Sequence, residues 1–152
     1  MEELTVEELI RYILMAEQES FQFYRKASKF LEGNELKLLI DELADQEREH
    51  IKGLKGLLND ETLPAEDLIP LVDIDTSIFD RIIQTLNIPV QVTPLDIINL
   101  ALEREVNTLK SFKLLVTIPA LNQKITQAFS ELIELEQGQV QRIKERIGKF
   151  RR

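Results

Sequence analysis

An all-α domain of four long helices is the fold class this sequence predicts, and three features carry the prediction. The 152 residues include only five glycines and five prolines, the residues that cost a helix interior most. Apolar residues recur three and four positions apart through four long segments, the period of a helix with one buried face. Each segment is bounded by a start or stop signal. A hydrophobic fraction of 43% at this length is enough for one domain, residues 1–152, with a real core.

The first helix is expected over about 5–31. Thr5 with Glu8 three residues on makes a capping box, and Gly33-Asn34 breaks the pattern. Asn34 then caps a second helix, about 34–58, which ends ahead of the polar run Asn59-Asp60-Glu61. Thr93 followed by Pro94 at the first helical position starts a third, about 94–117. Pro119 opens the fourth, which continues to about Gly148. The segment 59–93 contains Pro64, Pro70 and Pro89 and is too long for a bare loop. Its stretch Thr76 to Leu86, apolar at Ile78, Phe79, Ile82, Ile83 and Leu86, predicts a short helix. Two short links and one long one describe an antiparallel four-helix bundle: two hairpins joined by a crossover.

A net charge of -8 and a pI near 4.8 argue against nucleic acid, since phosphate binding needs concentrated Lys and Arg. The tail Lys149-Phe150-Arg151-Arg152 is too short to change this. No cysteine is present, which removes disulfides, iron-sulfur clusters and thiolate zinc sites. The N-terminus MEELTVEELI is acidic and amphipathic where a signal peptide is basic and then apolar. No apolar run reaches the roughly 18 residues a membrane span needs. A soluble, cytoplasmic protein is the expectation.

The chemistry lies where the helical stripes stop being apolar. In the second helix the stripe runs Leu36, Ile40, Leu43, Glu47, His50, Leu54, Leu57, and His50 is the only histidine in the chain. In the fourth it runs Ile125, Phe129, Leu132, Glu136, Gln139, Ile143, with polar residues at the corresponding places. The first helix has Leu9, Ile13, Ala16, Ser20, Phe23, Ala27, with Glu17 beside the stripe and Glu19 facing water. The third has Ile98, Leu102, Glu105, Leu109, Phe112, Val116, with Glu103 outside. Each helix therefore directs one glutamate inward.

Four ionised carboxylates in an apolar interior would each cost on the order of several kcal/mol and repel one another. No Lys or Arg falls on these stripes near them, so protonation or metal must compensate. Two divalent cations would balance the four charges, and carboxylates suit iron or manganese. Glu17 to Glu47 is 30 residues and Glu105 to Glu136 is 31, and an aromatic follows seven residues after the glutamate in both odd helices, Tyr24 and Phe112. The chain reads as two copies of one helical hairpin.

The stretches MAEQESFQFYRKA (15–27), LADQEREHIKGL (43–54), LALEREVNTLKSF (100–112) and LIELEQGQVQRI (132–143) resemble the ferritin-like di-iron carboxylate proteins, most closely the rubrerythrin-type domain. In that family one Glu comes from each of two helices and Glu-x-x-His from each of the other two. The resemblance implies Glu17 and Glu105 as terminal ligands, Glu47 and Glu136 as bridges, His50 as a ligand and Tyr24 as a hydrogen-bond donor or oxidisable group beside the site. It also implies two divalent metal ions, iron first and manganese or zinc as alternatives. The activity implied is reduction of peroxide or oxygen, or oxidation of ferrous iron, in a homodimer.

Three departures qualify the resemblance. Gln139 stands where the second histidine belongs, and its amide is a weaker ligand or a hydrogen-bond partner for Glu105 or water. Glu17, Glu47, His50 and Glu136 are therefore expected to furnish one metal position well, and the other, on Glu105, to bind weakly or stay empty. Thr108 stands where many rubrerythrins carry a further carboxylate. No rubredoxin domain is present, so electrons would come from a separate protein or small reductant. The readings to be separated are therefore an oxidoreductase, a non-catalytic metal-binding or interaction protein on the same scaffold with one metal position impaired, and a bundle without metal.

Overall fold

The computed structural model describes residues 2–67, 71–74, 92–119 and 121–150. Four helices dominate them: α1 (Val6–Phe30), α2 (Leu36–Leu58), α3 (Pro94–Val116) and α4 (Gln123–Phe150). The Thr5 hydroxyl accepts from Glu8 N and the Glu8 carboxylate accepts from Thr5 N, so the capping box closes as the sequence predicts. Thr93 and Asp96 form a second such box, with Pro94 in the first turn. Gly33, at φ +78°, makes the left-handed break between α1 and α2, a conformation few other residues adopt cheaply.

Two boundaries shift. Asn34 Oδ1 accepts from Leu36 N at 2.8 Å, which places the regular start of α2 at Leu36 rather than 34. The fourth helix starts at Gln123 rather than at Pro119. Asn122 caps it through Lys124 N at 2.8 Å, and an asparagine that accepts an orphan N–H outcompetes a proline that only presets φ. Gly148 does not stop α4, which reaches Phe150.

No strand is expected from the sequence, yet Glu2–Thr5 (β1) and Leu71–Ile74 (β2) pair antiparallel, Glu2 opposite Ile74 and Thr5 opposite Leu71. A two-stranded ribbon is marginal alone. Here Leu4 is buried in the adjoining core and anchors one strand. Ala65–Asp67 form a short 3-10 turn, and Asp67 accepts from Asn122 Nδ2 at 2.7 Å, tying the start of the 59–93 segment to the start of α4. Lys124 reinforces the tie through Asp60 at 2.5 Å. The short helix predicted over 76–86 lies outside the described residues.

α1 packs most extensively on α2 and α3 on α4, with α1–α3 and α2–α4 contacts joining the pairs. The apolar core has two parts. One gathers Val6 to Ile13 of α1, Leu54 and Leu57 of α2, Phe112 and Leu115 of α3, and Ile125 and Phe129 of α4. The other gathers Phe23 to Leu31, Leu36 to Ala44, Ile97 to Ala101, and Ile143 and Ile147. Between them every helix contributes buried polar groups, so a polar layer is enclosed by apolar packing on both sides. No helix among the described residues is long and apolar enough to cross a membrane.

Candidate metal centre

The polar layer contains all the residues singled out from the stripes. Glu17, Glu47, Glu136 and Tyr24 are 0% exposed, Glu105 1%, and His50 and Gln139 3%, so bulk water solvates none of them. Glu103, Glu49 and Glu134 are exposed, as their places on the helices predict, while Glu19 is half-buried.

The stripe of α2 is buried throughout, from Leu36 to Leu57. In α3 the buried face is rotated from the predicted one: Ile97, Ile98, Ala101, Arg104, Glu105, Thr108, Phe112 and Leu115 are inside, while Leu102, Leu109 and Val116 are half-buried. The third helix is apolar on more than one side, and apolarity alone therefore misplaced its inner face. The rotation corrects one expectation outright. Arg104 is fully buried beside the glutamates, although the stripes contained no basic partner. Its Nε donates to Ser20 Oγ at 3.3 Å and its guanidinium lies 4.8 Å from the Phe23 ring centroid, a cation–π contact.

Around His50 the carboxylates converge. Its Nδ1 lies 3.0 Å from Glu17 Oε2, 3.8 Å from Glu136 Oε2 and 3.9 Å from Glu47 Oε2. Two overlapping sets have potential ligand atoms within 4.8 Å of one another: Glu17, Glu47 and His50, and Glu47, Glu105 and Glu136. Tyr24 Oη donates to Glu105 Oε1 at 2.5 Å. Gln139 Nε2 donates to Gln46 Oε1, a partner other than the expected Glu105 or water. Among the described residues no hydroxyl, amide or cation donates to Glu17 Oε1, to either oxygen of Glu47 or Glu136, to Glu105 Oε2, or to Gln139 Oε1. Buried acceptors without donors are rare in folded proteins, and the carboxylates among these belong to the two converging sets.

The electrostatics separate the carboxyls. Burial pushes Glu47 well above the ordinary carboxyl range, and the charges on Glu17 and Glu105 push it further. Burial also raises Glu105, against hydrogen bonds with Glu47 and Tyr24 that lower it. For Glu17 burial acts upward, but the approach of Glu47, the His50 hydrogen bond and the His50 charge outweigh it and hold the carboxyl below its usual value. His50 is raised: burial disfavours its charge, and Glu17 by contact and Glu105 by charge overcome that. Burial lifts the Tyr24 phenol well above its normal value, and Glu105 and Glu47 add to the shift. The raised carboxyls and the buried Arg104 charge thus both work against negative charge in the metal-free layer.

A divalent cation fits this donor set. It would meet unsatisfied carboxylate oxygens and one imidazole, the hard and borderline ligands that iron, manganese and zinc accept. Arg104, Gln46 and the Ser20–Arg104 link are the parts of the site that the stripes did not supply. The signal for Arg104 was present in the small residues Ala101, Thr108 and Ser111 on its own side of α3, which mark a face under close packing. No protein-family model, curated protein or solved structure matches the chain.

Proposed function

We propose that this chain is a ferritin-like metal-carboxylate protein that holds divalent metal, iron first, inside its bundle and acts on oxygen, peroxide or ferrous iron. One observation carries the reading: four helices bring four glutamates and the single histidine together in a buried layer, with carboxylate oxygens that lack hydrogen-bond donors. Closed structural networks do not leave such groups unsatisfied.

The path of the chain supports the ferritin-like part. α1 and α4 run from the first apolar cluster to the second, while α2 and α3 run from the second to the first. The order of the clusters along each helix fits antiparallel α1–α2 and α3–α4 pairs, with α2 ending and α3 beginning at opposite ends, as a crossover arrangement requires. In the centre, Glu47 belongs to both ligand sets and Glu136 approaches His50, so both carboxylates would help hold metal, and their part as bridges comes from the resemblance. Glu17 and His50 would complete one position and Glu105 the other, and Gln139 Oε1 is a further buried oxygen without a partner. Bound iron would supply one-electron chemistry toward a small oxidant. The protein's own contribution is to exclude water by apolar packing on both sides and to hold Tyr24 as a proton donor on Glu105. A cytoplasmic homodimer served by a separate electron donor accompanies this reading by resemblance.

Gln139 favours a second reading, a metal-binding protein without catalysis. Its amide nitrogen is committed to Gln46, and its oxygen is a poorer ligand than imidazole. Anaerobic loading with ferrous iron, followed by absorbance and metal stoichiometry on exposure to oxygen or peroxide, separates the two. Oxidation of the bound iron is the result expected of the first; tight binding with no oxidation would leave the second.

A further inference from the structure

Resting on the metal centre proposed above, we infer that its two positions are unequal because Arg104 occupies, as a fixed cation, the electrostatic place of the second metal ion. The set Glu17, Glu47 and His50 would then load first and tightly, and the set Glu47, Glu105 and Glu136 weakly.

The asymmetry is built by α3 and α1. Arg104 adjoins Glu105 in sequence and is fully buried, so its charge cannot be dispersed into solvent. Its contacts include Nε on Ser20 Oγ and the guanidinium over the Phe23 ring. Ser20 and Phe23 lie on α1 between Glu17 and Tyr24, and Tyr24 bonds Glu105. The cation thus lies against the stretch of α1 that carries Tyr24, the donor to Glu105, while His50 contacts Glu17.

Guanidinium remains protonated in proteins, so this positive charge is permanent. It repels an incoming divalent ion and already compensates part of the negative charge that ion needs. In a dry interior such effects are little screened. The second set also lacks an imidazole, since Gln139 offers only a neutral oxygen. Arg104 and Gln139 thus act in the same direction but are separable: one removes charge demand, the other removes a ligand.

The test uses chelator-treated full-length protein titrated with Mn2+ alone, followed by calorimetry and by electron paramagnetic resonance, which distinguishes isolated from adjacent ions. The wild type should bind one ion tightly and a second far more weakly. Arg104→Met, which retains buried bulk without charge, should tighten the second step by at least about tenfold, with little change in the first. Arg104→Lys, which keeps the charge, should leave the second step weak. Two equal sites in the wild type would overturn the inference, as would identical behaviour of the Met and Lys variants. If Arg104→Met does not fold, Gln139→His on the native background decides. A second position that stays weak supports the charge argument, and one that equals the first with Arg104 in place refutes it. Absence of any interior Mn2+ binding, with Glu47→Gln behaving as wild type, would instead defeat the metal centre itself.

Discussion

His50 Nδ1 and Glu17 Oε2 lie 3.0 Å apart, an imidazole and a carboxylate that belong to different helices and are both shut off from solvent. The imidazole nitrogen aimed at three carboxylates is the one that a metal would take. His50→Ala should therefore weaken the tighter binding step by about a hundredfold or more, since even outer-shell partners of metal ligands are worth 10- to 100-fold. Calorimetric titration with Mn2+ measures this; an unchanged first step would remove His50 from the site.

The metal-free protein should lose stability as pH rises from about 5 to about 8. Glu47, Glu105 and His50 all have folded pKa values raised above their ordinary ones. A raised group stabilises the fold below its unfolded pKa and forfeits that stability as pH climbs through the folded value. Glu17 is lowered, so its contribution is present above its ordinary value of 4.5 and is lost only at more acid pH, outside this window. Urea denaturation in chelator should give a decline on the order of 1–3 kcal/mol across the window. Glu47→Gln should flatten it. Rising stability over the same range would contradict the assignment.

Metal should reverse that decline. A ligand that binds only the folded state stabilises it by about 2.7 kcal/mol at a hundred times its dissociation constant. Thermal unfolding at about pH 7.5, with and without Mn2+, should show an upward shift that chelator abolishes and that Glu136→Gln or Glu47→Gln greatly reduces. Indifference to iron, manganese and zinc alike would favour a bundle without metal.

Tyr24→Phe should destabilise the metal-free protein by about 1–3 kcal/mol, because a buried Glu105 oxygen loses its donor at 2.5 Å. With metal bound the penalty should shrink as the ion satisfies that carboxylate. Paired denaturation curves of loaded and stripped protein check both halves of the statement.

Much of the fold was legible because its signals are local. Capping residues at Thr5 and Thr93, the break at Gly33 and the stripe of α2 each act within one or two turns. The β1–β2 pairing was not legible: each strand is four residues long, and its partner lies across the whole α1–α2 hairpin. The start of α4 was misread because Pro119 and Asn122 both look like helix signals and only the hydrogen bond from Lys124 N decides between them.

At the site, polar residues on otherwise apolar stripes, with Glu17 beside one of them, located Glu17, Glu47, His50, Glu105, Glu136 and Gln139 in one layer, since burial follows helical phase. Arg104 escaped because Leu102, Leu109 and Val116 present an alternative apolar stripe that turns the inferred inner face of α3 away from it. The Gln46 partner of Gln139 depends on how α2 meets α4, a tertiary relation with no local signature.

The central claim is that the polar layer binds divalent metal through Glu47 and His50. Its most direct test is Mn2+ titration of chelator-treated wild type beside Glu47→Gln, with circular dichroism confirming that both are folded. The account predicts saturable binding in the wild type and loss of the tight step in the variant. Equal binding by the two proteins, or none by the wild type, would contradict it.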